Sequence, residues 1–226
     1  MLRAGAARAR KRFRGPIASM GMELIERFPL FPLGLVLLPS EVVPLHIFED
    51  RYKQMIERCL EGEEEFGVVW FSDDGLRDIG CSATITEVLD RAVDGRLNIL
   101  VGGAAPFRLL RRVEDLPYPA GDVEPLEEEP EIVDDELVAS ARDAYADLVE
   151  RATDTRPEPD ELTGLDAFGM AASIDFALDD KQNLLEIRSE AERLQALKRL
   201  FDTTIKKIDY AERAGERAKS NGRIRF

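Results

Sequence analysis

Histidine is almost absent from this chain: His46 is the only one among 226 residues. Ser and Cys nucleophiles normally need an adjacent base, so any triad would have to converge on that single imidazole. A zinc site with two or more histidines is excluded. The two cysteines, Cys59 and Cys81, stand too far apart to form a Cys-x-x-Cys ligand pair. A secreted chain of this size would carry more cysteines, at spacings that suggest a disulfide framework, so a reducing cytoplasm is expected. The chain has no Gly-Lys dipeptide, and hence no Gly-x-x-x-x-Gly-Lys-Ser/Thr loop to cradle phosphates. Its longest apolar runs, such as Leu35 to Leu38, fall far below the roughly 18 residues of a membrane helix. Positive charge is also in deficit, with 31 Lys and Arg against 45 Asp and Glu, and the net charge of -14 opposes phosphate backbones and anionic lipid. From these absences no metal, no cofactor, no nucleic acid and no membrane partner are expected.

What is present suffices for a globular core. A chain of this length buries roughly 70–75% of its unfolded surface and needs no disulfide or metal to be stable. Residues 1–22 stand apart, with Arg3, Arg8, Arg10, Lys11, Arg12 and Arg14 and no acid. They lack the apolar core of a secretory signal. An organelle transit peptide or a nucleic-acid-binding arm would have this composition, and so would an upstream extension of a protein that begins at Met20 or Met22, which is the reading adopted.

Residues 23–123 read as β-rich, because short apolar or alternating stretches are punctuated by Gly, Pro and Asp. Strands are expected at Phe28–Phe31, Val42–Ile47, Phe66–Phe71, Ala83–Asp90, Leu97–Gly102, Phe107–Val113 and Tyr118–Val123, with a hairpin turn at Asp94-Gly95. The glycine-rich GGAAPF, Gly102 to Phe107, reads as a turn between two of them. Such a run of strands favours a small barrel or curled sheet. One helix interrupts it, since Tyr52, Met55, Ile56, Cys59 and Leu60 recur at helical spacing on one face. Cys59 is then a core thiol.

Eight of the thirteen residues from Glu124 to Glu136 are acidic, which reads as a solvated linker at a domain boundary. Residues 137–215 read as a helical bundle. Leu137, Ala141, Tyr145 and Leu148 form one stripe before TRPEPDEL breaks it. Asp179 with Gln182, and Ser189 with Glu192, have capping-box spacing, and the final helix carries Leu194, Leu197, Phe201, Ile205 and Ile208 on one face. Residues 216–226 read as a polar tail.

Phe28 to Leu60, FPLFPLGLVLLPSEVVPLHIFEDRYKQMIERCL, resembles the start of the N-terminal, substrate-binding domain of Lon proteases, which also occurs in cereblon. In that family a PLFPL strand, a Pro-containing turn, PLHIFE-x-RY and an amphipathic helix follow in this order. The likeness continues through FGVV (Phe66–Val69), IGCSATI (Ile79–Ile85), DGRLNILVGG (Asp94–Gly103), DDKQNLLE (Asp179–Glu186) and ERL (Glu192–Leu194). Where the family has Arg-Phe after the paired glycines, this chain has Pro106-Phe107, which removes a backbone donor and a charge together.

The resemblance implies an α+β fold, a PUA-like β pseudo-barrel followed by a C-terminal α-helical bundle, without the ATPase and Ser-Lys protease modules. The motif Pro44, Leu45, His46, Ile47, Phe48, Glu49, Arg51 and Tyr52 then reads mostly as architecture. Pro44 and Leu45 end a barrel strand, Glu49 or Asp50 starts the helix, Ile47 and Phe48 pack beneath it, and Glu49 pairs with Arg51. By the same likeness the chain is a non-catalytic module that captures unfolded or exposed apolar polypeptide segments, or one specific protein, alone or as adaptor to a protease. A groove is expected near Phe168, Met170 and Phe176. Two rival readings are a hydrolase using His46 and an RNA-binding PUA-like protein. The first lacks an evident nucleophile and the second a basic stripe with interleaved aromatics.

Overall fold

The computed structural model describes residues 24–221, so the basic tail and the last five residues lie outside the described part. Seven strands form the first half: β1 (Ile25–Leu33), β2 (Val42–Ile47), β3 (Phe66–Ser72), β4 (Gly75–Leu76), β5 (Ile79–Arg91), β6 (Leu97–Val113) and β7 (Ala120–Pro125), with α1 (Asp50–Gly62) between β2 and β3. Strands β1, β7, β6, β5 and β3 neighbour one another in that order, and the circle closes because β1 also pairs in parallel with β3, Leu30 opposite Gly67 through Leu33 opposite Trp70. The two-residue β4 extends the end of β3. Strand β2 stands outside the circle and pairs only with the first half of β6, while β7 takes the second half.

The barrel interior is filled by Phe28, Leu30, Val69, Phe107, Leu109 and Val123, with the rings of Phe28 and Phe107 edge to face at 5.6 Å. Gly80 leaves room for the Phe107 ring, whose Cζ would lie only 2.7 Å from an added Cβ. The turn expected at GGAAPF does not form, and Gly102 to Phe107 instead lies inside the 17-residue strand β6. Its glycines serve close approach. A Cβ at Gly103 would overlap the carbonyl oxygen of Leu38, and Gly103 exchanges backbone hydrogen bonds with the turn before β2, to Glu41 O at 2.9 Å and from Ser40 N at 3.0 Å. The pairing shifts register between Cys81 and Ala83, beside Pro106, so the residue without an N–H sits where the ladder is already interrupted.

Helix α1 buries Tyr52, Met55, Ile56 and Cys59 as its periodicity requires, and ends at Glu63 in the left-handed conformation at φ 51°. The second half comprises α2 (Asp135–Thr153), α3 (Pro159–Leu162), α4 (Ala167–Ala171), α5 (Leu178–Glu186) and α6 (Glu190–Asn221). Asp134 caps α2 by accepting from the Glu136 N–H. Helices α2 and α6 lie side by side and run the same way, since Lys198 meets Ser140, Phe201 meets Tyr145 and Asp209 meets Arg151. Helix α6 continues six residues beyond the expected end of the bundle at 215.

Of the two expected capping boxes, one fails. The box at Asp179 does not form, because α5 begins at Leu178 with Ala177 as N-cap, and Gln182 is buried, donating to Ile79 O at 3.2 Å. Ser189 does cap α6, accepting from the Glu192 N–H at 3.1 Å.

The acidic stretch 126–134 is not simply solvated. It is a strap fastened to the α5–α6 corner, with Glu128 on Arg193 at 3.0 Å, Glu131 accepting from Ser189 Oγ at 3.0 Å, and the Glu129 N–H on Arg188 O at 3.0 Å. One apolar cluster joins residues of β2, α1, β3 and β5 to Phe168, Leu185, Leu194 and Phe201 of the helical half. No helix among the described residues is long and apolar enough to cross a membrane.

Candidate functional site at the outer face of β2

Strand β2 alternates. Val43, Leu45 and Ile47 are buried in the core, whereas Pro44 and His46 are exposed on the opposite face with Val42 partly covered. Pairing through β6 to β5 extends this outer face into rows, Pro44–Leu100–Glu87 and His46–Asn98–Asp90. The His46 Nδ1–H donates to Asn98 Oδ1 at 2.7 Å, and the Phe48 ring stacks on the imidazole at 5.8 Å between centroids and 25° between planes. Phe48 was expected to pack beneath α1, yet it is 59% exposed while Ile47 is 1% exposed. Leaving the strand at Ile47 turns Phe48 away from the core, and the imidazole is its only ring neighbour among the described residues.

Glu49 and Arg51 pair at 2.8 Å and the Arg51 guanidinium lies 4.6 Å from the centre of the Tyr52 ring, so this part of the motif pins the strand-to-helix corner. Both partners are exposed, so the pair contributes at most ~1 kcal/mol.

Phe168, Met170 and Phe176 do not wall a groove. All three are buried, Phe168 beneath the Arg193 guanidinium at 4.0 Å and Phe176 against Phe201 at 6.1 Å. Their apolar character reflects core packing, a signal that periodicity alone does not separate from a binding surface.

Both thiols are on the core side. Burial pushes the Cys59 thiol up to about 11 and raises Cys81 as well, which disfavours the thiolate. The partners of the His46 ring are Asn98 and Phe48. Among the described residues no group of three or more His, Cys, Asp or Glu is placed to hold a metal ion.

A pocket of about 650 Å³ lies at the other end of the barrel, lined by Glu26, Arg27, Arg111, Arg112, Val113, Glu114, Asp115 and Asp122. Much of its charge is internally matched. Arg27 pairs with Asp115 at 2.9 Å and Arg111 with Asp122, whose carboxyl is held below the ordinary range by the Arg27 backbone N–H first and the Arg111 side chain next. Arg27 itself takes a positive φ of 59° at the irregularity between Ile25 and Phe28. With four carboxylates facing three guanidiniums it offers no clear selectivity for an ionic ligand. Sequence reasoning missed this cluster, since nothing local in Arg27 or Asp122 announces a bulge. On β6 the polar step at Asn98 marks the outer face, whereas Leu100 carries no such signal, being apolar like its buried neighbours Ile99 and Val101.

Residues 27–202 match the family described as the ATP-dependent protease La (LON) substrate-binding domain. The chain belongs to that family. The Lon protease of Xanthomonas oryzae is 28% identical over 222 residues, covering 91% of this chain and 26% of its own length. Lon protease 1 of Hydrogenovibrio crunogenus is 23% identical over 212 residues, covering 85% and 25%. The chain therefore spans about a quarter of the length of these Lon proteases, the substrate-binding quarter. Among solved structures, a Lon N-terminal domain protein from Xanthomonas campestris is similar at a TM-score of 0.57 and 26% identity, over 76% of this chain and 97% of that one. The N-terminal domain of the Mycobacterium avium complex Lon protease is similar at 0.60 and 21% identity, over 78% and 98%. The α+β arrangement is thus the Lon N-terminal fold, a PUA-like barrel with C-terminal helices, and the family supports a substrate-binding module.

Proposed function

We propose that this LON domain captures extended, apolar segments of unfolded polypeptides on the outer face of β2, alone or as adaptor to a protease. The observation that carries the reading is an uncovered aromatic residue, Phe48, stacked on His46, with exposed Pro44 and the half-covered Leu100 in the next row of the strand, on a protein of a substrate-binding family. Apolar area left in water on a rigid strand gives affinity when covered, and a disordered ligand must lose entropy to bind. Dissociation constants are therefore expected in the micromolar range, ~1–10 μM, with no dependence on nucleotide.

Phe48→Ser tests this. Because the ring is largely outside the core, the melting temperature should stay within a degree or two, while the affinity for reduced, carboxamidomethylated lysozyme should fall several-fold by fluorescence anisotropy. Unchanged affinity in the folded variant would remove the site. Absence of binding by the unaltered chain at ~100 μM would remove the function.

A further inference from the structure

The Gly103 N–H donates to Glu41 O at 2.9 Å, so Glu41 aims its carbonyl at β6, while its own N–H turns back to Leu38 O. The register then runs one for one from Val42 opposite Gly102 to Ile47 opposite Leu97. Bonded and non-bonded pairs alternate along an antiparallel ladder. Val43, Leu45 and Ile47 accordingly aim their backbone groups at β6, and Val42, Pro44 and His46 aim theirs away from it. The sequence agrees independently, since proline is tolerated in a sheet where its missing N–H would face outward from an edge. Strand β2 has no second neighbour, and no hydrogen bond among the described residues reaches these outward groups. The edge therefore offers two donors, on Val42 and His46, and three acceptors, on Val42, Pro44 and His46.

We propose that this edge takes an extended polypeptide segment, apolar and basic in composition, as an added β-strand. The proposal rests on the reading of the protein as a polypeptide-binding module and specifies how the ligand is held. Main-chain hydrogen bonds give a sequence-tolerant grip, and side chains on the outer face meet Pro44, His46 and Phe48. The flank selects charge. Glu87 and Asp90 close the two rows with no ion pair among the described residues, whereas Glu49 and Asp50 at the corner are matched by Arg51 and Lys53. With the net charge of -14, a segment carrying its own Lys or Arg is favoured over an acidic one. A second copy of this chain fits poorly. A two-fold pairing of β2 with β2 about Pro44 sets proline opposite proline, loses both bonds of the central pair, and brings acidic flanks together.

The test is amide hydrogen exchange by NMR on the full chain, with and without saturating reduced, carboxamidomethylated lysozyme, a basic unfolded probe. Strand addition slows exchange at Val42 and His46, while Val43, Leu45 and Ile47 are protected already. Binding without added protection at Val42 and His46 overturns strand addition and leaves the module reading standing. No binding at all overturns both. His46→Pro removes one outward donor and keeps the main-chain bonds to β6, and it should weaken binding several-fold more than His46→Ala, which loses the same imidazole contacts to Asn98 and Phe48 but keeps the donor. If the proline variant melts lower, the exchange result decides. For the charge claim, two capped peptides with one apolar sequence and either Lys or Glu flanks are compared. The Lys peptide should bind at least about threefold more tightly at low salt, with the gap closing as salt rises, and equal affinities would overturn the charge selection.

Discussion

Arg193 is 1% exposed, and its guanidinium bonds Glu128 at 3.0 Å, Ile187 O at 2.6 Å and Glu190, and covers the Phe168 ring. A buried cation is tolerated only when its partners converge in this way, and removing it leaves the carboxylate of Glu190, which burial already pushes upward in pKa, with the Ala167 N–H but without its cation. Arg193→Met is expected to cost about 3–5 kcal/mol, a fall in melting temperature of at least about 6 °C by calorimetry. Glu65 is the opposite case. It is 4% exposed, no ion pair reaches its carboxylate among the described residues, and burial raises its pKa while the Ser82 hydroxyl only partly opposes that rise. An acid raised in the folded state leaves stability untouched below its unfolded value, near 4.5. Its cost accumulates as pH climbs toward the folded value and stays constant above it. Glu65→Gln should therefore raise the melting temperature at pH 7–8 and lose that advantage near pH 4. A gain that persisted unchanged at pH 4 would show that ionisation is not the cause.

At the scale of elements, β6 does the joining. Its 17 residues are long enough to hold β5 along one side and β2 then β7 along the other, and both barrel and outer face depend on its path. Gly103 is the point at which β6 touches the turn before β2. Gly103→Ala drives a methyl into the Leu38 carbonyl, and since backbone gives way less easily than a flexible side chain, a loss of about 1–3 kcal/mol is expected. Thermal melts should show it, and exchange at β2 amides should rise with it. An unchanged melting temperature would mean that the turn relaxes freely. The strap between β7 and α2 makes the same point in another form: its acids read as solvated, but two of them fasten it to Arg193 and Ser189.

For the whole molecule, barrel and helices are one packing unit. Lys181 of α5 pairs with Glu41 at 2.7 Å, both side chains nearly buried, Gln182 reaches Ile79 O, and the large apolar cluster continues across the junction. Unfolding should accordingly be a single calorimetric transition. A fragment of residues 24–125 should lack a cooperative melt and should bind a hydrophobic dye, because the face that covers α5 and α4 would lie open. A fragment that melts sharply would show that the barrel is stable without its helices.

The sequence by itself determined the elements whose pattern is local. The stripe of Tyr52, Met55, Ile56 and Cys59 specifies α1, the spacing of Leu194, Leu197 and Phe201 specifies α6, and the alternation of Val43, Leu45 and Ile47 places β2, because each side chain's face follows from backbone period alone. The ordered motifs from Phe28 to Leu60 sufficed to place the chain in its family. Only the tertiary structure decided what covers each face. Phe48 could not be read as exposed, nor Phe168, Met170 and Phe176 as core, since all four are apolar and lie in the same kind of context along the chain. GGAAPF became strand because the Leu38 turn needs close approach at Gly103, and Gln182 left its capping role because a carbonyl 103 residues earlier in the chain accepts its amide. Local pattern states that a residue is committed to burial or hydrogen bonding, but partners distant in sequence choose where that commitment is met.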